Sequence, residues 1–145
     1  MKRKKLHLII ALVAIMWGMP LYAFSQPAKG PQPVAEPEKL TLVQAVVCEK
    51  VEEGQPVHPA IVFSMSLGEV ACFTAFDPVP THAVIFHEWY RKDKLTARTR
   101  LKLSPPRWSS VSRIQLREAD KGPWRIEITD EQGNVLASLR ISITD

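Results

Sequence analysis

Leu95-Thr96-Ala97-Arg98-Thr99-Arg100-Leu101-Lys102-Leu103 decides the fold class of this chain. Leu95, Ala97, Thr99, Leu101 and Leu103 occupy every second position, and Thr96, Arg98, Arg100 and Lys102 fill the places between them. Side chains alternate across a strand with period two, so this segment has one apolar face and one polar, basic face. No rotation of a 3.6-residue helix gathers these apolar positions on one side. Ser104-Pro105-Pro106 ends the run, because proline has no N–H for the ladder.

The same period recurs on both sides. Leu40 to Cys48 is rich in Val and Leu, Val70 to Phe76 is apolar and closed by Asp77-Pro78, and Ala83 to Tyr90 forms another apolar run. Trp108 to Leu116 resumes the pattern, and Gly122-Pro123 opens Trp124-Arg125-Ile126-Glu127-Ile128. Asp130-Glu131-Gln132-Gly133-Asn134 reads as a hairpin turn before a last strand with Leu139, Ile141 and Ile143 on one face. Residues 52–68 are the least periodic. Ile61-Val62-Phe63 fits a short edge strand there, since Pro56 and Pro59 disfavour a central place. No stretch carries a convincing amphipathic helix. The expectation is an all-β, immunoglobulin-like antiparallel sandwich of about seven strands over residues 40–145.

The N-terminus reads differently. Lys2-Arg3-Lys4-Lys5 is a positive segment, Leu6 to Trp17 is apolar, and Gly18 and Pro20 break it. Ala23-Phe24-Ser25 offers small residues for cleavage after Ser25. This is the three-part pattern of a secretory signal over residues 1–25, which places the domain in the periplasm or outside the cell. If the signal is retained, Leu6 to Phe24 is the membrane anchor. Residues 26–39, QPAKGPQPVAEPEK, form a Pro-rich linker without regular structure. Lys2, Arg3, Lys4 and Lys5 account for the whole formal charge of +4. The remainder is neutral, and the basic pI does not point to nucleic acid.

Cys48 and Cys72 are the two cysteines. An even count in an oxidising compartment favours a Cys48–Cys72 disulfide, with two buried free thiols as the alternative. His82 and His87 stand at an odd offset and so face opposite ways on one strand. They cannot jointly hold a metal, no ligand spacing occurs elsewhere, and no cofactor is implied. His87 shares its face with Ile85 and Trp89 and reads as a hydrogen-bonded core residue. Nucleophile, zinc and phosphate-loop motifs are absent, so no catalytic residues are assigned. An enzyme site around His87 and Glu88 is the rival to a non-catalytic module, and a spacer without a ligand is a third reading. Arg98, Arg100 and Lys102 form a basic stripe that suits an anionic partner, such as a phosphorylated envelope glycan, lipid headgroups or an acidic protein. The same stripe also serves as a charged face that guards against edge pairing.

One resemblance adds to this. His87-Glu88-Trp89-Tyr90, then Trp108-Ser109-Ser110, then Gly122-Pro123-Trp124-Arg125-Ile126 and Asp130-x-x-Gly133-x-Val135-Leu136 follow in an order that resembles the bacterial domain family of unknown function DUF2914. Its pieces are His-x-Trp-Tyr, Trp-x-x-x-Ser and Gly-x-Trp-x-(Val/Ile) before a turn. Here Trp108 lacks the basic and aromatic run expected before the serines. The resemblance implies an exported or membrane-tethered β-domain, assigns no catalytic residues, and leaves the motif tryptophans and glycines to be explained as determinants of the fold.

Overall fold

A computed structural model describes Gly30 and residues 36–145. The expected signal at 1–25 and the linker up to residue 35 lie outside the described residues, apart from Gly30. Residues 36–145 form one unit of nine strands. These are β1 (Leu42–Glu52), β2 (Gln55–Pro59), β3 (Val62–Ser64), β4 (Glu69–Phe76), β5 (Ala83–Arg91), β6 (Lys94–Leu103), β7 (Trp108–Gln115), β8 (Gly122–Asp130) and β9 (Val135–Thr144). Two single 3-10 turns, Met65–Leu67 and Glu118–Asp120, interrupt them.

The strands make two sheets packed as a sandwich, in the orders β2-β1-β4-β7 and β3-β9-β8-β5-β6. All pairs are antiparallel except β3 with β9. The immunoglobulin-like expectation holds: β1, β4 and β7 take the places of strands A, B and E, and β9, β8 and β5 those of G, F and C. The two strands beyond the expected number come from residues 52–68. β2 carries Pro56 and Pro59 at the outer edge of its sheet, where no ladder N–H is required of them. β3 is the short edge strand read from Ile61-Val62-Phe63, shifted by one residue.

Turn chemistry explains the tight connections. Lys92 and Asp93 both have positive φ, 49° and 58°, and join β5 to β6 as a two-residue hairpin loop. Between β8 and β9 the Asp130 carboxylate accepts from Gln132 N–H, Asn134 N–H and Asn134 Nδ2 at 2.8–2.9 Å. The bond from the Asn134 side chain and those from the turn backbone hold its pKa below the usual value. Gly133 supplies the left-handed residue, at φ 84°.

Between the sheets Ile85, Trp89, Ile126, Ile128 and Ile143 meet Val70, Cys72 and Phe76. Trp89 and Trp124 pack edge to face, with ring centroids 6.5 Å apart. Such a pair contributes about 1 kcal/mol beyond its burial. The Trp124 indole N–H donates to Asp120 O at 2.7 Å, which ties the turn before β8 to the core.

The expected Cys48–Cys72 disulfide is overturned. The register of β1 against β4 sets Val47 opposite Cys72 and Cys48 opposite Ala71. Neighbouring residues on a strand point to opposite faces. Cys72 therefore enters the core between the sheets, and Cys48 packs with Ala71 and Phe73 on the other face. Both thiols are free and buried, and burial raises both pKa values, that of Cys72 to about 12. The tryptophan of β5 thus packs without the disulfide found behind it in antibody domains. Ile126 and Ile128 of β8 belong to the same core cluster as Cys72, and no second cysteine does.

Candidate functional site

Two polar arrangements stand out, one inside the sandwich and one on its surface. Inside, His87 on β5 is 0% exposed. Its Nε2 lies 3.0 Å from Thr74 Oγ1 of β4, and its Nδ1 lies 2.8 Å from Ser112 Oγ of β7. Ser112 Oγ also accepts from Trp89 Nε1 at 3.1 Å. With a neutral ring every polar atom has a role: the indole N–H donates to Ser112, one ring nitrogen donates and the other accepts. Burial drives the His87 pKa down to about 4, so the ring is neutral at physiological pH. A serine hydroxyl beside an imidazole has the outline of a nucleophile and its base. This pair, however, is sealed from water and its partners are a threonine and an indole, not a carboxylate. Its chemistry is a hydrogen-bonded lock joining β4, β5 and β7 across the core.

Two pieces of the family motif meet in this lock. His87 and Trp89 are the His-x-Trp, and Ser112 is the serine four residues after Trp108. The reading of His87 as a hydrogen-bonded core residue holds. Thr74 was not legible as its partner, because only the packing of β4 on β5 brings them together.

The surface arrangement is the outer face of the five-stranded sheet. Residues 84, 86, 88 and 90 of β5 point outward, opposite to Ile85, His87 and Trp89. Glu88 therefore lies on the far side of the sheet from His87, and the structure does not bring the two together. Cζ of Arg98 lies 3.9 Å from the Phe86 ring centroid, and Arg98 Nε lies 3.0 Å from Glu88 Oε1. Cζ of Arg125 lies 4.6 Å from the Tyr90 ring centroid. Arg125 Nη1 donates to Asp93 Oδ1 at 2.8 Å. Its Nε lies 3.0 Å from Glu127 Oε1 but does not aim its N–H there, so that contact is an ion pair without a hydrogen bond. The Tyr90 hydroxyl donates to Glu88 Oε2 at 3.1 Å, and burial together with this bond raises its pKa.

Arg98, Arg100 and Lys102 do share one side of β6, at the edge of the sheet. Their surroundings differ from a plain basic stripe. Arg98 is bound to Glu88 and Phe86, and Arg100 reaches Glu131 only at 3.7 Å and stays half exposed. Lys102 lines a cleft of about 290 Å³ with His82, Ser104 and Glu131. The face is thus mixed in charge, with guanidinium groups laid on aromatic rings. Phe86, Tyr90, Arg125 and Glu127 belong to it although the basic stripe alone did not point to them. The periods of β5 and β8 give their direction, but only the β5–β8 pairing sets Glu88 beside Glu127. His82 lies outside β5, and the His58 ring is 3.0 Å from Glu49 at the β1–β2 edge. Among the described residues no group of three or more His, Cys, Asp or Glu side chains converges as a metal site.

Residues 82–143 match the model of DUF2914, described as a protein of unknown function. The match runs from just before β5 almost to the end of β9, and it shows the resemblance for this segment. No curated protein matches the chain. Among solved structures, a mutant beta-glucosidase from Listeria innocua in complex with laminaribiose is 7% identical, with a TM-score of 0.47. That alignment covers 74% of this chain and 16% of the enzyme. A GH3 beta-glucosidase from Bifidobacterium adolescentis is 10% identical, with a TM-score of 0.38, over 72% of this chain and 17% of that one. The chain therefore spans about a sixth of the enzymes it matches.

Proposed function

We propose that this protein is an exported, non-catalytic binding module that engages a cell-envelope partner through the outer face of its five-stranded sheet. Export is supported by the basic, apolar and small-residue segments of residues 1–25. The binding reading is carried by one observation: Arg98 and Arg125 lie over Phe86 and Tyr90 while ion-paired with Glu88 and Glu127. Fixed guanidinium and aromatic groups supply contact area at low cost in side-chain entropy, which is why both are enriched where proteins bind one another. Alternation of charge across the face favours a protein over a polyanionic glycan, because the carboxylates repel a uniform anion. An enzyme built on His87 and Glu88 has no such support, as the two lie on opposite sides of the sheet.

Site-specific crosslinking in the producing cell tests this. A photo-reactive residue replacing Lys102 reports on the face, and one replacing Arg113 reports on the opposite sheet. The proposal expects a discrete protein adduct from position 102 alone, lost in Arg98→Glu. Equal adducts from both positions, or none from position 102, would reject it.

A further inference from the structure

A second surface feature borders that face, on β9, where Arg140 stands opposite Arg125 and Ser138 opposite Glu127. β3 pairs only with Ser142–Thr144 of β9, so the first part of β9 has no neighbour on that side among the described residues. The backbone direction follows from parity. Ser142 N–H donates to Ile61 O at 2.8 Å, so Ser142 turns its peptide groups toward the β3 side. Arg140 and Ser138, two and four residues earlier, turn theirs the same way, and Leu139 and Ile141 pair with β8. A row of unpaired N–H and C=O groups is a template for another strand.

The ground in front of this row is shaped to receive one. A cleft of about 380 Å³ opens between β9 and β1, walled by Val47, Leu139 and Ile141 and closed at one end by Pro59–Ile61. The crossover of Pro59–Ile61 is itself tied to β1, by Ala60 N–H to Val47 O at 3.1 Å. Exposed apolar side chains flank this stretch, Ile61 just before β3, Val62 at its start, and Val135 and Leu136 at the start of β9. Arg140 stands at the rim, exposed, opposite Arg125 of β8, and makes no ion pair among the described residues.

We infer that the β9 edge from Leu136 to Ile141 accepts an extended peptide of a partner protein as an added strand, in line with β3. Six residues of strand span about 20 Å. Alternate side chains of the incoming segment enter the cleft beside Leu139 and Ile141 and must be apolar. Those between them lie on the outer side beside Ser138 and Arg140, where a carboxylate meets the free guanidinium. The recognised class is therefore an extended segment of about seven residues with apolar side chains at every second position and an acidic residue between two of them.

The test uses the whole protein and a capped synthetic heptapeptide. The peptide has valine at its second, fourth and sixth positions, glutamate at its third and threonine elsewhere. Controls are an isomer with the three valines adjacent and a version with lysine for glutamate. Amide hydrogen exchange read by NMR should slow at least tenfold at Ser138 and Arg140 with the alternating glutamate peptide, and not with the isomer. Ser138→Pro removes the edge N–H while leaving the bonds to β8, and should abolish the slowing. Arg140→Glu should invert the preference, so that the lysine peptide binds several-fold tighter than the glutamate one. Slowing by neither charged peptide, or full slowing in Ser138→Pro, overturns the inference. Protection that rises with protein concentration in the absence of peptide also overturns it, and assigns the edge to a second copy of the chain.

Discussion

The buried imidazole makes a quantitative prediction about acid. His87 is held neutral by burial, with a pKa of about 4 in the folded chain against 6.5 for a solvated ring. Its hydrogen-bond partners are Thr74 and Ser112, and neither is a carboxylate to repay the charge. The unfolded chain therefore takes up a proton before the folded chain does. Stability contributed by the neutral ring is complete above pH 6.5 and is lost as pH falls toward and through about 4. At about 1.4 kcal/mol per tenfold change in proton affinity, the whole window amounts to roughly 3 kcal/mol. That is a large fraction of the stability of a small domain. Urea unfolding at pH 7.5, 5.5 and 4.0 measures it, and His87→Gln isolates it, because carboxylates titrate alike in both proteins. The stability of the native sequence should fall relative to the variant by roughly 3 kcal/mol across this range. A difference between the two that stays constant with pH would refute the assignment of a sealed, neutral His87.

Three further outcomes follow from the same contacts. Ser112→Ala removes the acceptor of the Trp89 indole and the partner of His87 Nδ1, and should lower the unfolding free energy by about 2–3 kcal/mol in urea titration. A thiol reagent should leave the native protein unlabelled and modify both Cys48 and Cys72 once it is denatured without reductant; no labelling in denaturant would mean that a disulfide exists. Arg125→Ala gives up the Tyr90 ring and two carboxylate contacts at the surface, for about 1 kcal/mol, which a thermal melt should show as a fall of some 4–8 °C. Lysine at 125 should recover only part of it, since an ammonium does not lie flat on the ring.

Local period was sufficient for much of this fold. The alternation of Leu95 to Leu103 gave β6 to within a residue, and the turn residues of 130–134 placed the β8–β9 hairpin. β2 was hidden because Gln55–Pro59 has no apolar alternation and gains its ladder only from β1. The inward direction of His87 was legible from Ile85 and Trp89. Its partners were not, since Thr74 and Ser112 come from strands of the other sheet. The basic stripe was legible as a stripe, whereas the carboxylates that temper it lie on β5 and on the β8–β9 turn.

The sequence by itself determined that residues from Leu40 onward alternate as strands, which face of each strand is apolar, and where the chain turns. Those properties are set by neighbours one and two positions away. Only the tertiary structure decided register, and register decided the cysteines: a single residue of offset between β1 and β4 sends Cys72 into the core and Cys48 to the opposite face. The same is true of β6. Arg98, Arg100 and Lys102 acquire their mixed-charge setting from β5 and the β8–β9 turn, across hydrogen bonds and contacts that no local pattern encodes.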